Sequence, residues 1–329
     1  MVIRKLAQLS LVILATCIHL SAQANQGTGF LFQAPGVAGT GNRLLGYFAN
    51  VSDLNPDLDT QGPAHASKIL ATPNGERFYI VGDGPLQSVD ATLQNFQTLN
   101  SVIGPIRSAK LTPDGKYLLV AGADFYVINT ATNAIAATNL GVSGTLLDFA
   151  VSRDSKKAYL LHNFTVSSAI TPVNLETLVA APRVDITRAA LSLDMSPLGK
   201  LFAASGNVIT EYDPATLAVT YEAILSVTPG PLHFTSDGAR VYFINRTPSV
   251  GGRPIYSMRT DTHEVSEWNL ANTGTTPPIF DDVYIAGNDR IFAYEPANTT
   301  LWDITPSPLS GTPTALNSLF PANRVYGVA

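Results

Sequence analysis

Lys110, Asp148, Asp194 and His233 are the side chains in this 329-residue chain whose types and spacing come nearest to a chemical site. Each is the polar member of a short run that alternates polar and apolar residues, so each stands on the opposite face from the apolar positions beside it. Two carboxylates, an amine and an imidazole on one lining could orient a polar ligand, pass a proton through the imidazole, or hold a hard cation between the carboxylates. A second grouping, Asp53, Asn55, Asp57 and Asp59, puts oxygen side chains at every second position, as calcium loops do. Leu58 stands where such a loop needs glycine and Ala64 where it needs a closing glutamate, so a solvated acidic loop is the plainer expectation. Calcium is the one cofactor in view, and none is required. His65, His162, His233 and His263 fall in separate segments and no Cys-x-x-Cys-His occurs, which excludes covalent haem.

The elements that must position these residues recur. Arg107 to Leu140 holds four strand-like runs and three turns: Ser108 to Leu111, the Asp114-Gly115 pair, Tyr117 to Val120, Phe125 to Ile128, the turn Thr130 to Asn133, and Ala134 to Thr138. Asp-Gly between alternating runs is a strong hairpin signal, because both residues tolerate the backbone such a turn imposes. From Ala66 onward the hairpin returns at intervals of roughly forty residues, at Asn74-Gly75, Asp114-Gly115, Asp154-Ser155, Leu198-Gly199, Asp237-Gly238, Asp281-Asp282 and Ala322-Asn323. A second marker, the polar residue that closes each third strand, returns with the same period at Asp90, Asn129, Asn174, Asp213, Arg259 and Glu295.

Four short strands repeated about every forty residues are the signature of an all-β, seven-bladed β-propeller of antiparallel blades. Seven pairs of first and second strands are present but only six complete pairs of third and fourth strands, and the last unit, Ala315 to Val328, stops after two. Phe30 to Gln33 and Arg43 to Phe48 are expected to complete that last blade, closing the ring where the two termini share a sheet and leaving no edge open. The first strand of a blade is the innermost. Lys68, Ser108, Lys110, Asp148, Ser192, Asp194, His233 and Asn317 are therefore expected to look into the central channel, with Ile69, Ala109, Phe149 and Leu193 packing between blades. Trp268 and Trp302 are expected in outer, fourth strands.

Thr112-Pro113-Asp114-Gly115-Lys116 and Ile128-Asn129-Thr130-Ala131-Thr132-Asn133 resemble the repeat unit of the YVTN family of bacterial seven-bladed propellers. Ser196-Pro197-Leu198-Gly199-Lys200 with Tyr212-Asp213-Pro214-Ala215-Thr216 follows the same unit, and Thr235-Ser236-Asp237-Gly238 follows part of it. The resemblance implies the fold. Proteins of this shape include cell-surface proteins, lactonases and quinoprotein-type dehydrogenases, so fold alone does not choose a chemistry.

Composition narrows the choice. The chain is 45% hydrophobic and only 14% charged, which fits a folded protein with a large core. Residues 1–24 carry a basic head (Arg4, Lys5), an apolar run from Leu9 to Leu20 and the ending Ala22-Gln23-Ala24, the pattern of an export signal. Residues 25–329 then form one propeller domain. Removing Arg4 and Lys5 takes the net charge from −5 to −7, which argues against nucleic acid as a partner. Cys17, the single cysteine, lies inside the signal, within a Leu14-Ala15-Thr16-Cys17 sequence similar to a bacterial lipoprotein box. The expectation is an exported monomer in the periplasm, cell envelope or medium, without a membrane span unless a lipid tethers Cys17. With no catalytic motif, its leading function is non-catalytic binding of a protein or glycan, and the alternative is a lactonase-like hydrolase acting on a sugar lactone.

Overall fold

A computed structural model of the chain describes residues 28–34, 43–48, 54–61, 66–82, 85–90, 95–99, 106–140, 144–164, 167–247, 254–268, 279–280, 282–285, 291–295, 300–304, 314–315 and 324–328. Three strands come first: β1 Thr28–Ala34, β2 Arg43–Phe48 and β3 Leu54–Gln61. Sheet one follows as β4 Ala66–Ala71, β5 Arg77–Gly82, β6 Gln87–Asp90 and β7 Gln97–Thr98. Sheet two is β8 Ser108–Leu111, β9 Tyr117–Ala121, β10 Phe125–Asn129 and β11 Ile135–Thr138. Sheet three holds β12 Thr145–Val151, β13 Lys157–Asn163, β14 Ser168–Asn174 and β15 Val179–Ala180, with β16 Val184–Ile186 also on β14. Sheet four is β17 Ser192–Met195, β18 Leu201–Ser205, β19 Val208–Tyr212 and β20 Val219–Ile224. Sheet five is β21 His233–Phe234, β22 Arg240–Ile244, β23 Ile255–Arg259 and β24 Val265–Trp268. Sheet six is β25 Asp282–Ile285, β26 Ile291–Glu295, β27 Thr300–Asp303 and β28 Thr314–Ala315. The last strand, β29 Arg324–Val328, pairs with β1 in a terminal sheet of order β29-β1-β2-β3 and lies beside β4.

Two turn chemistries recur along the chain. In the first hairpin of sheet two the Thr112 hydroxyl donates to Asp114 Oδ1 at 2.6 Å and accepts from the Tyr117 amide at 3.0 Å, while the Lys116 amide donates to the same carboxylate oxygen at 3.0 Å. Thr72 with Asn74, Ser152 with Asp154 and Thr235 with Asp237 repeat this lock. Gly75, Gly115, Gly199 and Gly238, together with Ser155, hold the left-handed backbone that tightens the turn. In the other turn, Asn129, Asn174 and Asp213 each accept two amides from the next three residues through their side-chain oxygen. These are Asx turns, and they carry the chain from the third strand to the fourth.

The strands form sheets that are apolar on both faces. In β18, Leu201 and Ala203 enter a core shared with Tyr159, Leu161 and Ile170 of sheet three. Phe202 and Ala204 of the same strand turn the other way, into a core with Val241, Phe243 and Met258 of sheet five. Equivalent cores join sheet one to two, two to three, and five to six. Each large side chain fully buried this way contributes about 1.5–3 kcal/mol. Four-stranded antiparallel blades packed face to face in sequence order make this an all-β propeller arrangement.

The structure moves four expected elements. Asp281-Asp282 is not a hairpin, because Asp282 opens the innermost strand β25, and Glu295 therefore ends a second strand and Trp302 lies in a third. The apolar residues Val283 and Ile285 follow the Asp pair instead of preceding it. Ala315 likewise belongs to a fourth strand, β28, instead of opening a new unit. The chain start contributes three strands to the terminal sheet and the chain end one, where two and two were expected. Finally, Leu54–Gln61 is a strand paired with β2, so Asn55, Asp57 and Asp59 stand on a strand where an acidic loop was expected. Asp53 and Asn317 lie outside the described residues.

The turn glycines differ in a testable way. A Cβ on Gly115 would sit 2.8 Å from Cδ of Pro73, whereas one on Gly75 would meet nothing within 4 Å. Gly75→Ala is expected to cost about 1 kcal/mol for its backbone alone, and Gly115→Ala about 2–3 kcal/mol, because the neighbouring proline cannot yield. Denaturation curves of the two variants measure the difference, and equal losses would show that the inter-sheet contact carries no strain.

Candidate functional site on the axis

The innermost strands β4, β8, β12, β17, β21 and β25 bring together polar side chains from six sheets. Two of these strands carry a register shift just ahead of the residue that matters: between Ala66 and Lys68 in β4, and between Leu146 and Asp148 in β12. Such bulges re-aim the following side chain, here toward its counterparts in neighbouring sheets.

Three of the four expected site residues meet. Lys110 Nζ lies 3.1 Å from Asp194 Oδ1 and 3.8 Å from Asp148 Oδ1, and it donates to the Leu193 carbonyl at 3.0 Å. Asp148 Oδ1 accepts from the Ser108 hydroxyl at 2.7 Å, and its Oδ2 accepts from the Leu193 amide at 2.9 Å. Asp194 Oδ1 also takes the Met195 amide, and the Phe149 ring lies 5.8 Å from the Lys110 ammonium. Burial works against charge on Lys110, but Asp148 and Asp194 outweigh it and hold the ammonium pKa above its ordinary value. Sheets two, three and four are thus tied at the axis by a group whose contacts are largely internal. A half-buried ion pair with these backbone bonds sets register more than it adds stability.

His233 is not part of that group. Its Nε2 lies 3.1 Å from Oδ1 of Asp282, across the boundary between sheets five and six, with both side chains about a quarter exposed. Sequence reasoning missed Asp282 because it was taken for a turn residue. The signal was present: Asp282-Val283-Tyr284-Ile285 opens on a polar residue, as Ser108, Ser192 and His233 open β8, β17 and β21.

Lys68 completes the axis. Its ammonium donates to the Ala109 carbonyl at 3.1 Å, and among the described residues it makes no other polar contact. Burial, and then the charge on Lys110, pull its pKa below that of an ordinary lysine, against the opposing pull of Asp148, Asp194 and Asp282. No three His, Cys, Asp or Glu side chains among the described residues are grouped as a metal centre requires.

The remaining histidines lie elsewhere. His263 Nε2 is 3.0 Å from Glu211 Oε2, which Lys200 also approaches, and its ring stacks on Tyr221 at 3.6 Å. His162 is 1% exposed on the face of β13 that carries Ala158 and Leu160, and neither ring nitrogen has a hydrogen-bond partner among the described residues. His65 lies outside the described residues.

No family model matches the chain, and no curated protein matches it, so the likeness to YVTN repeats stops at the turn motifs. Solved structures do match. A candidate 6-phosphogluconolactonase from Bacteroides uniformis superposes with a TM-score of 0.69 at 15% identity, covering 92% of this chain and 98% of the other. A second candidate 6-phosphogluconolactonase, from Bacteroides fragilis, gives 0.65 at 12% identity over 92% and 97%. Hydrazine synthase from Kuenenia stuttgartiensis gives 0.63 at 16% identity over 73% and 77%. At such identities the likeness establishes the β-propeller fold and nothing about activity. Among the described residues, no helix is long and apolar enough to cross a membrane.

His162 generates a pH prediction. Burial, and secondarily the charge on Arg183, push its pKa down to about 4 from the ordinary 6.5, so the folded protein keeps the ring neutral. The unfolded chain takes up its proton first. Stability is therefore full above pH 6.5 and falls as pH drops from 6.5 toward 4, by up to about 3 kcal/mol from this residue. Denaturation of wild type and His162→Leu across that range should show the difference between them shrinking toward acid, and a pH-independent difference would contradict it.

Proposed function

We propose that this chain is an exported, seven-bladed propeller whose seventh blade is the terminal sheet, and that it binds a small polyhydroxylated ligand of sugar type at its axis. One observation carries the binding reading. The axial polar groups divide into a frame whose members bond to one another, Lys110 with Asp148 and Asp194, and a remainder with fewer partners, Lys68 with the His233–Asp282 pair. The remainder offers donors and acceptors together, as hydroxyl-rich ligands require. On this reading the protein is a binding module, and the frame holds the strands while the remainder meets the ligand.

A second reading, hydrolysis of a sugar lactone, is favoured by the His233–Asp282 pair itself. With Nε2–H donated to Asp282, Nδ1 of His233 is the ring nitrogen that would take a proton from an attacking water. Water would add to the lactone carbonyl, the ring C–O bond would break, and the proton would pass to the departing ring oxygen, leaving a hydroxy acid. Two of the structural neighbours are candidate lactonases over almost their full length, which supports trying this substrate class first.

Glucono-1,5-lactone turnover and gluconate binding, measured on wild type, His233→Gln and Asp282→Asn, separate the readings. A binding module loses gluconate affinity at least about tenfold in both variants and hydrolyses lactone no faster than buffer. A hydrolase loses turnover by about 100-fold or more in the His233 variant. Gluconate affinity and lactone turnover unchanged in both variants would remove the site from the axis.

A further inference from the structure

We infer that Lys68 is a nucleophilic amine that captures small aldehydes in the axial channel as an imine. This uses the channel of the proposed function but does not depend on a sugar binding there.

Two lysines on one axis stand in contrast. Lys110 is held by two carboxylates and a backbone carbonyl, so its nitrogen has no lone pair to offer and no room to move. The carboxylates that act on Lys68 from a distance have contacts elsewhere. Asp148 holds Ser108 and the Leu193 amide, Asp194 holds Lys110 and the Met195 amide, and Asp282 holds His233 and the Val283 amide. None of the three is in direct contact with Lys68. Its single bond, to the Ala109 carbonyl, uses one N–H and is available equally to the neutral amine, and the residue keeps part of its surface exposed. Burial and the nearby Lys110 charge both favour that neutral form.

The capture balances as a condensation. The amine nitrogen adds to the aldehyde carbon, a carbon–nitrogen double bond forms, and the carbonyl oxygen leaves as water with the two protons that nitrogen gives up.

Glycolaldehyde with cyanoborohydride, which reduces the imine to a stable secondary amine, tests this on the full chain. Peptide mass mapping at pH 7 should find Lys68 modified about tenfold faster than the exposed Lys156 and Lys157, with Lys110 unmodified. The rate at Lys68 should also plateau at lower pH than the rate at Lys156. Lys68→Arg should remove the fast adduct while leaving the melting curve in place. Modification of Lys68 no faster than Lys156 and Lys157, or with the same pH dependence, overturns the inference. Fast labelling of Lys68 in a protein that ignores gluconate and gluconolactone would remove the sugar reading and leave this one standing.

Discussion

Each packed sheet in this protein is apolar on both faces, and most of the rest follows from that constraint. Leu201 and Phe202 are neighbours in β18, yet they lie in two different cores, and each is fully buried. A sheet of this kind needs a partner on either side, so the sheets must stack in sequence. A linear stack would leave a bare apolar face at both ends. The pairing of β29 with β1, beside β4, brings a sheet built from both chain ends to one of those faces.

The same constraint decides where chemistry can sit. With both faces of the described central sheets given to packing, polar side chains of their innermost strands collect along the axis. Those groups do not act alike. The Lys110 group satisfies itself and ties three sheets together, and Ser108, on the same strand, is drawn into the tie. Lys68 and the His233–Asp282 pair keep unused hydrogen-bonding capacity. The four residues that sequence placed together as one mixed site are thus divided: Lys110, Asp148 and Asp194 form a brace, and His233 pairs instead with Asp282.

The repeat and its turns were legible because their chemistry is local. Thr112, Asp114 and Gly115 lock a hairpin within six residues, and Asn129 folds its own Asx turn, so spacing alone reveals them. The alternation of Ser108 to Leu111 and of Asp148 to Val151 was likewise enough to point polar members to the axis. What sequence could not show was long-range. The contacts of Lys110 with Asp148 and Asp194 span 38 and 84 residues, and nothing local says which carboxylate the amine will choose. Sheet six was misread by one strand because Asp281-Asp282 imitates a turn, and Asp282 was lost with it. Leu54–Gln61 looked like a loop because Asp, Asn and Pro are poor strand formers, and its pairing with β2 overrides that preference.

The most direct test is a covalent one, at the place where the ends meet. Gln33 and Val325 face each other across β1 and β29. A chain carrying Gln33→Cys and Val325→Cys, with Cys17→Ser to remove the native thiol, should oxidise to an intramolecular disulfide and melt several degrees higher than its reduced form. A pair that stays reduced under mild oxidation, or that links only between molecules, would mean that the two ends do not share a sheet.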